Sequence, residues 1–243
     1  MKNGSRIFSE RSFQDGQGLV EYGLLLALIA IGIVLVMSLT GVSISDLYCR
    51  ASNAISGDTA CKGLATYCQD NFDGNTSGWQ NVLYSNPTVQ NGQMCLPNAM
   101  QALNKCSTQM TQSDYVVNLN GVTLSSGPGY GIFFRSSLNS SKQMNGYALQ
   151  YDPGLGNYLV IRRWGNGKEV NPPVAKVPIN STIYNVPHDI KIVAKGDTFT
   201  VFMDGVQMMT AQDSTYPSGG AGLRTWGSNT SACFNDFSIG QVP

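Results

Sequence analysis

The stretch HDIKIVAKGDTFTVFMDG, residues 188–205, decides the fold. His188–Ala194 and Thr198–Met203 each alternate apolar with polar side chains, the period of a strand with one buried face. Between them, Lys195-Gly196-Asp197 has the turn chemistry of a hairpin. The same signal returns on either side. Tyr115–Leu119, Tyr130–Arg135, Tyr147–Tyr151, Tyr158–Trp164, Gly222–Trp226 and Cys233–Ile239 are further strand-like runs. Turns such as Gly165-Asn166-Gly167 and Asp204-Gly205 separate them. Many short strands divided by such turns predict an antiparallel sandwich.

Composition narrows the function. Of the 243 residues only 12% are charged, and 15 basic residues balance 15 acidic ones. There is no basic run, so nucleic acid is not an expected partner. The six cysteines, Cys49, Cys61, Cys68, Cys95, Cys106 and Cys233, all follow the apolar segment described next. An even set confined to one side of such a segment predicts disulfides in an exported, oxidising compartment. His188 is the only histidine and has no neighbouring ligand, so no zinc site is expected.

Residues 16–40, GQGLVEYGLLLALIAIGIVLVMSLT, carry one acidic side chain, Glu21, at the front of an otherwise apolar run. Tyr22–Leu39 has no charge and no proline and is long enough for a bilayer core of ~30 Å. Lys2, Arg6 and Arg11 precede it, so the N-terminus is expected to be cytoplasmic and the C-terminal part exported. A carboxylate at the face of a membrane helix is costly unless paired, and asks for a functional reason.

Gly16-Gln17-Gly18-Leu19-Val20-Glu21-Tyr22, followed by GLLLALIAI, closely resembles the prepilins of the Flp (Tad) branch of type IV pilins. The resemblance implies cleavage by a prepilin peptidase between Gly16 and Gln17, which makes Glu21 the fifth mature residue and Tyr22 the sixth. The new amine of Gln17 then meets the Glu21 carboxylate of a neighbouring subunit, relieving the burial cost each charge has alone and favouring one axial register. Flp-type pilins are often little more than this helix, and this chain adds a large exported part.

The order DNFDGNTSGW, GYGIFFRSS, NGYALQYDPG, LVIRRWGNG, HDIKIVAKGDTFTVFMDG and CFNDFSIG resembles the concanavalin A-like jelly roll, in particular its laminin-G-like and 3-keto-disaccharide-hydrolase-like branch. The expected chain is thus α+β. A leader (1–16) precedes a long transmembrane and filament-core helix (17–56), a linker (57–68) and a jelly-roll β-sandwich (69–243). In that fold the first and last strands lie side by side, which suggests Cys68 with Cys233. Cys49 with Cys61 and Cys95 with Cys106 would complete the set, among many connectivities that six cysteines allow.

Catalysis is not expected. Glu169 is the only glutamate of the domain, and no string of alternating acids resembles the paired carboxylates of related glucanases. Sugar binding is the livelier option, with Arg135, Arg162, Trp164, Arg224 and Trp226 as candidates on one face. Arg162 and Trp164 share strand parity. Trp79, Phe133, Trp164 and Trp226 also suit the framework of the fold. No cofactor is called for. Calcium accompanies some sugar sites, but no residue here singles it out. Asn75, Asn139, Asn180 and Asn229 open Asn-x-Ser/Thr sequons.

The functional expectation is a structural subunit of a Tad/Flp-like pilus. It is held in the cytoplasmic membrane as a prepilin, passed to the pilus assembly machinery, and polymerised by its helix into an extracellular filament of identical subunits. The alternative is a minor pilin or adhesin whose jelly roll binds carbohydrate or a surface.

Overall fold

The computed structural model describes residues 22–29, 64–83, 87–180 and 183–243. The chain divides into two units, Met1–Gly63 and Leu64–Pro243. In the first, residues 22–29 are helical, with Tyr22 and its apolar neighbours exposed. Gly16, Gln17, Glu21, Cys49 and Cys61 lie outside the described residues, as does the rest of the expected long helix. No helix among the described residues is long and apolar enough to cross a membrane.

Among its described residues the second unit is all-β apart from two single 3-10 turns, Ser107–Gln109 and Pro153–Leu155. Its strands are β1 (Thr66–Asp70), β2 (Trp79–Leu83), β3 (Thr88–Gln90), β4 (Gln93–Pro97), β5 (Gln101–Asn104), β6 (Tyr115–Ser126), β7 (Tyr130–Leu138), β8 (Met144–Asp152), β9 (Tyr158–Gly165), β10 (Lys168–Pro178), β11 (His188–Lys195), β12 (Thr198–Met203), β13 (Val206–Gln212), β14 (Gly220–Thr225) and β15 (Ser231–Gly240). β1 starts inside the segment expected to be linker. One sheet runs β13-β12-β11-β6-β15-β4-β3, with β1 also on β15. The other runs β10-β9-β8-β7-β14-β5-β2.

The hairpin that opened the sequence reading is present. Lys195 pairs with Thr198 across Gly196-Asp197, and β12 turns into β13 through Asp204-Gly205, both with positive φ. Between the sheets, alternate residues interdigitate. Tyr147, Leu149 and Tyr151 of β8 and Leu159 and Ile161 of β9 face Ile192, Phe199 and Val201 of the opposite sheet. Trp79 packs between Phe72 and Phe237, with ring centroids 5.9 and 5.0 Å away.

Two disulfides differ from the expected pairing: Cys68 bonds Cys106, and Cys95 bonds Cys233. The first strand does lie beside the last, but register decides the partners. On β15, Cys68 falls opposite Ile239, whereas Cys233 falls directly opposite Cys95 of β4. A cross-strand pair is within bonding reach and a partner six residues along the strand is not.

Candidate functional site

The outward face of the seven-stranded sheet has an apolar floor of its own. Leu103, Phe133, Met144, Ala148 and Trp164 form a second buried cluster there, separate from the core between the sheets. They are the off-beat partners of the inward residues, because successive side chains on a strand point to opposite faces. Arg162 and Trp164 share this face, as their parity predicts.

Arg224 is the centre of the arrangement. Its guanidinium carbon lies 4.3 Å from the ring centre of Trp164 and 4.6 Å from that of Trp226, so the cation is clamped between two indoles. Arg224 Nη1 donates to Glu169 Oε1 at 2.9 Å. The other carboxylate oxygen of Glu169 is 3.3 Å from Arg162 Nε. Gln150 bridges the pair: its Nε2 donates to Glu169 Oε1 at 2.8 Å, and its Oε1 accepts from Arg162 Nε at 3.0 Å. Arg162 Nη1 also donates to Asn171 Oδ1 at 3.2 Å. Glu169 is placed for this role because it stands opposite Trp164 in the β9–β10 pairing.

Two glycines make room for the clamp. Arg224 stands opposite Gly131 across β14 and β7, and a Cβ at Gly131 would lie 2.8 Å from Arg224 Cγ. At Gly129, where φ is +150°, it would strike Trp226 Cζ2 at 2.4 Å. Gly131→Ala is therefore expected to lower stability by ~1–3 kcal/mol, as overpacking does. Combined with Arg224→Ala the penalty should shrink, which a double-mutant cycle by denaturant titration reads directly.

Electrostatics fix the protonation states. Burial lowers the Arg224 pKa to about 10, against the hydrogen bond and charge of Glu169 that hold it up. Burial would raise Glu169, but hydrogen bonds from Gln150 and Arg224 and the charges of Arg224 and Arg162 outweigh it, leaving it below its ordinary 4.5. Asp152, beyond Gln150 on β8, is raised by burial despite accepting from Leu155 N–H. Arg224 and Glu169 are thus a fixed ion pair at neutral pH. Because the folded pKa of Glu169 is depressed, its contribution is complete above the unfolded value and is lost as pH falls through the folded one. The stability advantage of the native chain over Glu169→Gln should therefore be full at neutral pH and close as pH falls below 4.5, measured by denaturant titration at each pH.

Two donors in the clamp, Arg224 Nε and Trp164 Nε1, are buried with no hydrogen-bond partner among the described residues. Leaving a buried donor unmade costs ~1–3 kcal/mol. Beside the clamp, Gln101 of β5 stands opposite Arg224 and lines a cleft of about 330 Å³. Among the described residues, no group of three or more His, Cys, Asp or Glu side chains could hold a metal ion.

Arg135 corrects the sequence reading. It is 2% exposed and sits away from this face, over the ring of Phe199 at 5.3 Å. Its Nε donates to Ser113 O and its Nη2 to Asp114 Oδ1. Strict alternation after Phe134 would send it outward. The register of β7 on β8 shifts between Phe134 and Ser137, and φ at Arg135 is +45°, so the side chain turns inward. Phe133, Trp164 and Trp226 belong to the outward face, and only Trp79 of the four framework aromatics lies in the inter-sheet core. Gln150 and Asn171 were not singled out from sequence. The parity of Gln150 between inward Leu149 and Tyr151 is a signal that could have found it.

Of the sequon asparagines, Asn75, Asn180 and Asn229 are exposed. Asn139 is committed elsewhere, its Nδ2 donating to Gln143 Oε1 and Asn166 Oδ1.

The model of the 3-keto-alpha-glucoside-1,2-lyase-like domain matches residues 68–239. The chain belongs to this family. The lyase-like domain has the fold of several solved carbohydrate-related structures. The carbohydrate binding module CBM66 from Bacillus subtilis shares 20% identity at a TM-score of 0.55, covering 68% of this chain and 96% of its own. The VIP36 exoplasmic/lumenal domain, solved with Ca2+ and Man3GlcNAc, shares 10% identity at a TM-score of 0.56, covering 75% and 91%. The Bacillus licheniformis beta-glucanase shares 13% identity at a TM-score of 0.53, covering 75% and 100%. No curated protein matches the chain in sequence.

Proposed function

We propose that the lyase-like domain is a carbohydrate-binding module displayed at the cell surface by a pilin-type N-terminus. The observation that carries this is the outward sheet face. Trp226 presents a part-exposed indole, backed by buried Trp164 and the apolar cluster beneath it, beside a pre-oriented set of Arg, Glu and Gln side chains, and an aromatic face next to fixed polar groups is what a sugar ring needs. The module named for carbohydrate binding and the mannoside-bound VIP36 domain support it as relatives in fold. The reading of residues 1–56 rests on their resemblance to Flp-type prepilins: cleavage between Gly16 and Gln17, membrane residence before assembly, and a filament of like subunits held by Glu21. A minor subunit that carries an adhesive domain suits the added β-sandwich better than a bare structural pilin.

Two measurements test the two halves. The purified mature protein should begin at Gln17; a start at Met1 removes the pilin reading. Full-length protein should bind members of a glycan array, and Trp226→Ala should abolish that signal without unfolding the domain. An array with no binding refutes the module.

A catalytic reading has one observation in its favour, the opposite pKa shifts of Asp152 and Glu169 on one face. Against it, Glu169 is held by three side chains and Asp152 caps a 3-10 turn, so both serve as fixed anions. Turnover of a 3-keto-glucoside, lost in Glu169→Gln, would reverse this order.

A further inference from the structure

The cleft beside the clamp has a chemistry of its own. Its floor includes Leu83 and Met144, and its charged lining residues are Lys142 and Lys168. No carboxylate lines it among the described residues, although the whole chain is charge-balanced. Neither ammonium has an ion pair or hydrogen-bond partner among the described residues. A cleft on the other sheet, of similar size, has Asp70 and Asp236 in its lining instead.

The rim that presents the lysines is rigidly built. Lys142 lies in the β7–β8 turn with φ +57°, and Lys168 follows the β9–β10 turn at Asn166-Gly167. Asn139 ties the two turns together. Its Oδ1 accepts from Ser141 N at 3.0 Å and Gln143 N at 2.9 Å, and its Nδ2 donates to Gln143 Oε1 at 3.2 Å and Asn166 Oδ1 at 3.0 Å. Asn145 Oδ1 accepts from Asn166 N at 2.7 Å, and Met144 O accepts from Gly167 N at 2.9 Å. Because the side-chain oxygens of Gln143 and Asn166 are taken by Asn139, each amide is left with its NH2 group. The cleft thus offers two ammonium groups and two amide donors over an apolar floor. Such a surface pairs with an acceptor that carries negative charge.

We infer that this cleft takes the acidic group of an anionic saccharide, a uronate or a sulfate ester, while the neighbouring indole clamp contacts the adjoining ring. The inference rests on the carbohydrate-binding reading of the same face and narrows it to acidic glycans. Gln101, opposite Arg224 and lining the cleft, makes the two parts continuous. It also gives Asn139 a reason to stay unmodified, since a glycan on its Nδ2 would break the tie between the turns and stand at the cleft mouth.

The test uses full-length protein and two matched pairs of ligands in calorimetric titrations: oligogalacturonate with its methyl ester, and a sulfated galactan with its desulfated form. The charged member of at least one pair should bind tenfold or more tightly than its neutral partner, and weaken steeply with salt. Lys142→Gln with Lys168→Gln should cut that affinity at least tenfold while leaving the melting temperature unchanged, since neither lysine holds another group. The pair that responds tells uronate from sulfate. Equal binding of neutral and charged members overturns the acidic class and leaves the sugar-binding reading standing. Charge-selective binding that ignores both lysines overturns the cleft as its seat. No binding by any member, with an empty glycan array, overturns both readings.

Discussion

Between Leu64 and Pro243 the pulled domain is expected to extend by only about 90 Å with its disulfides intact, and by about 600 Å once both are reduced, at ~3.5 Å per released residue. The reason is connectivity. The bonds Cys68–Cys106 and Cys95–Cys233 close loops of 38 and 138 residues that overlap. Tension entering at Leu64 crosses at Cys68 to Cys106, runs back to Cys95 and crosses to Cys233. Strands β6 to β14 are bypassed, and they include β8, β9, β10 and β14, which carry the arginine clamp. Single-molecule extension with and without reductant reads this directly. An equal length in both conditions would show that the bonds are absent, and an oxidised length clearly different from about 90 Å would show that they are paired otherwise.

The same bonds matter without force. On the loop-entropy account, closing a loop of the shorter size is worth ~4 kcal/mol and of the longer ~5 kcal/mol. The overlap of the loops makes the two values less than additive. Removing Cys68–Cys106 alone by paired Cys→Ser changes should lower the melting temperature by about 10 °C for a domain of this size. The covalent bypass keeps β6 to β14, and with them the arginine clamp, out of the force path after β5 and the end of β15 have been pulled from their sheets.

What could be read beforehand depended on which signal each segment carries. Strands with alternation and tight turns, β6 to β9, β11, β12, β14 and β15, were visible because period and turn chemistry agree there. β10 was not, since Pro172 and Pro173 argue against a strand. It is tolerated as an edge strand whose register on β9 shifts between Val170 and Ala175. β2 to β5 are short and carry little alternation, so only pairing reveals them. Arg162, Trp164, Arg224 and Trp226 came together because residues of equal parity on strands of one sheet share a face. Arg135 failed by a single inserted residue, and the cysteine pairing failed by register. Bulges and register depend on partners distant in the chain, and neither is written in local sequence. Glu169 was visible as a lone glutamate, but its partners Gln150 and Arg224 are 19 and 55 residues away.

Arg224→Lys is the substitution expected to separate a clamp from a mere cation. A lysine keeps the charge, but it lacks the planar fork that both lies between two indoles and bonds Glu169. Its loss should cost ~2–3 kcal/mol of stability, at or below the lower end of the range for broken buried pairs, because Glu169 keeps Arg162 and is itself part-exposed. The indoles lose a partner worth ~1–2 kcal/mol when desolvated. Glycan affinity should fall more than a hundredfold, because the part-exposed ring of Trp226 is no longer held in place by the guanidinium stacked against it and against buried Trp164. Trp226→Ala supplies the contrast. Trp226 is only half-buried, so its removal should cost little stability yet remove the same binding. The two variants, compared by denaturant titration and by glycan titration, should agree in binding and differ in stability. If Arg224→Lys binds and melts like the native chain, charge alone suffices and the clamp has no part in recognition. If Trp226→Ala keeps full affinity, the ligand lies elsewhere on the sheet.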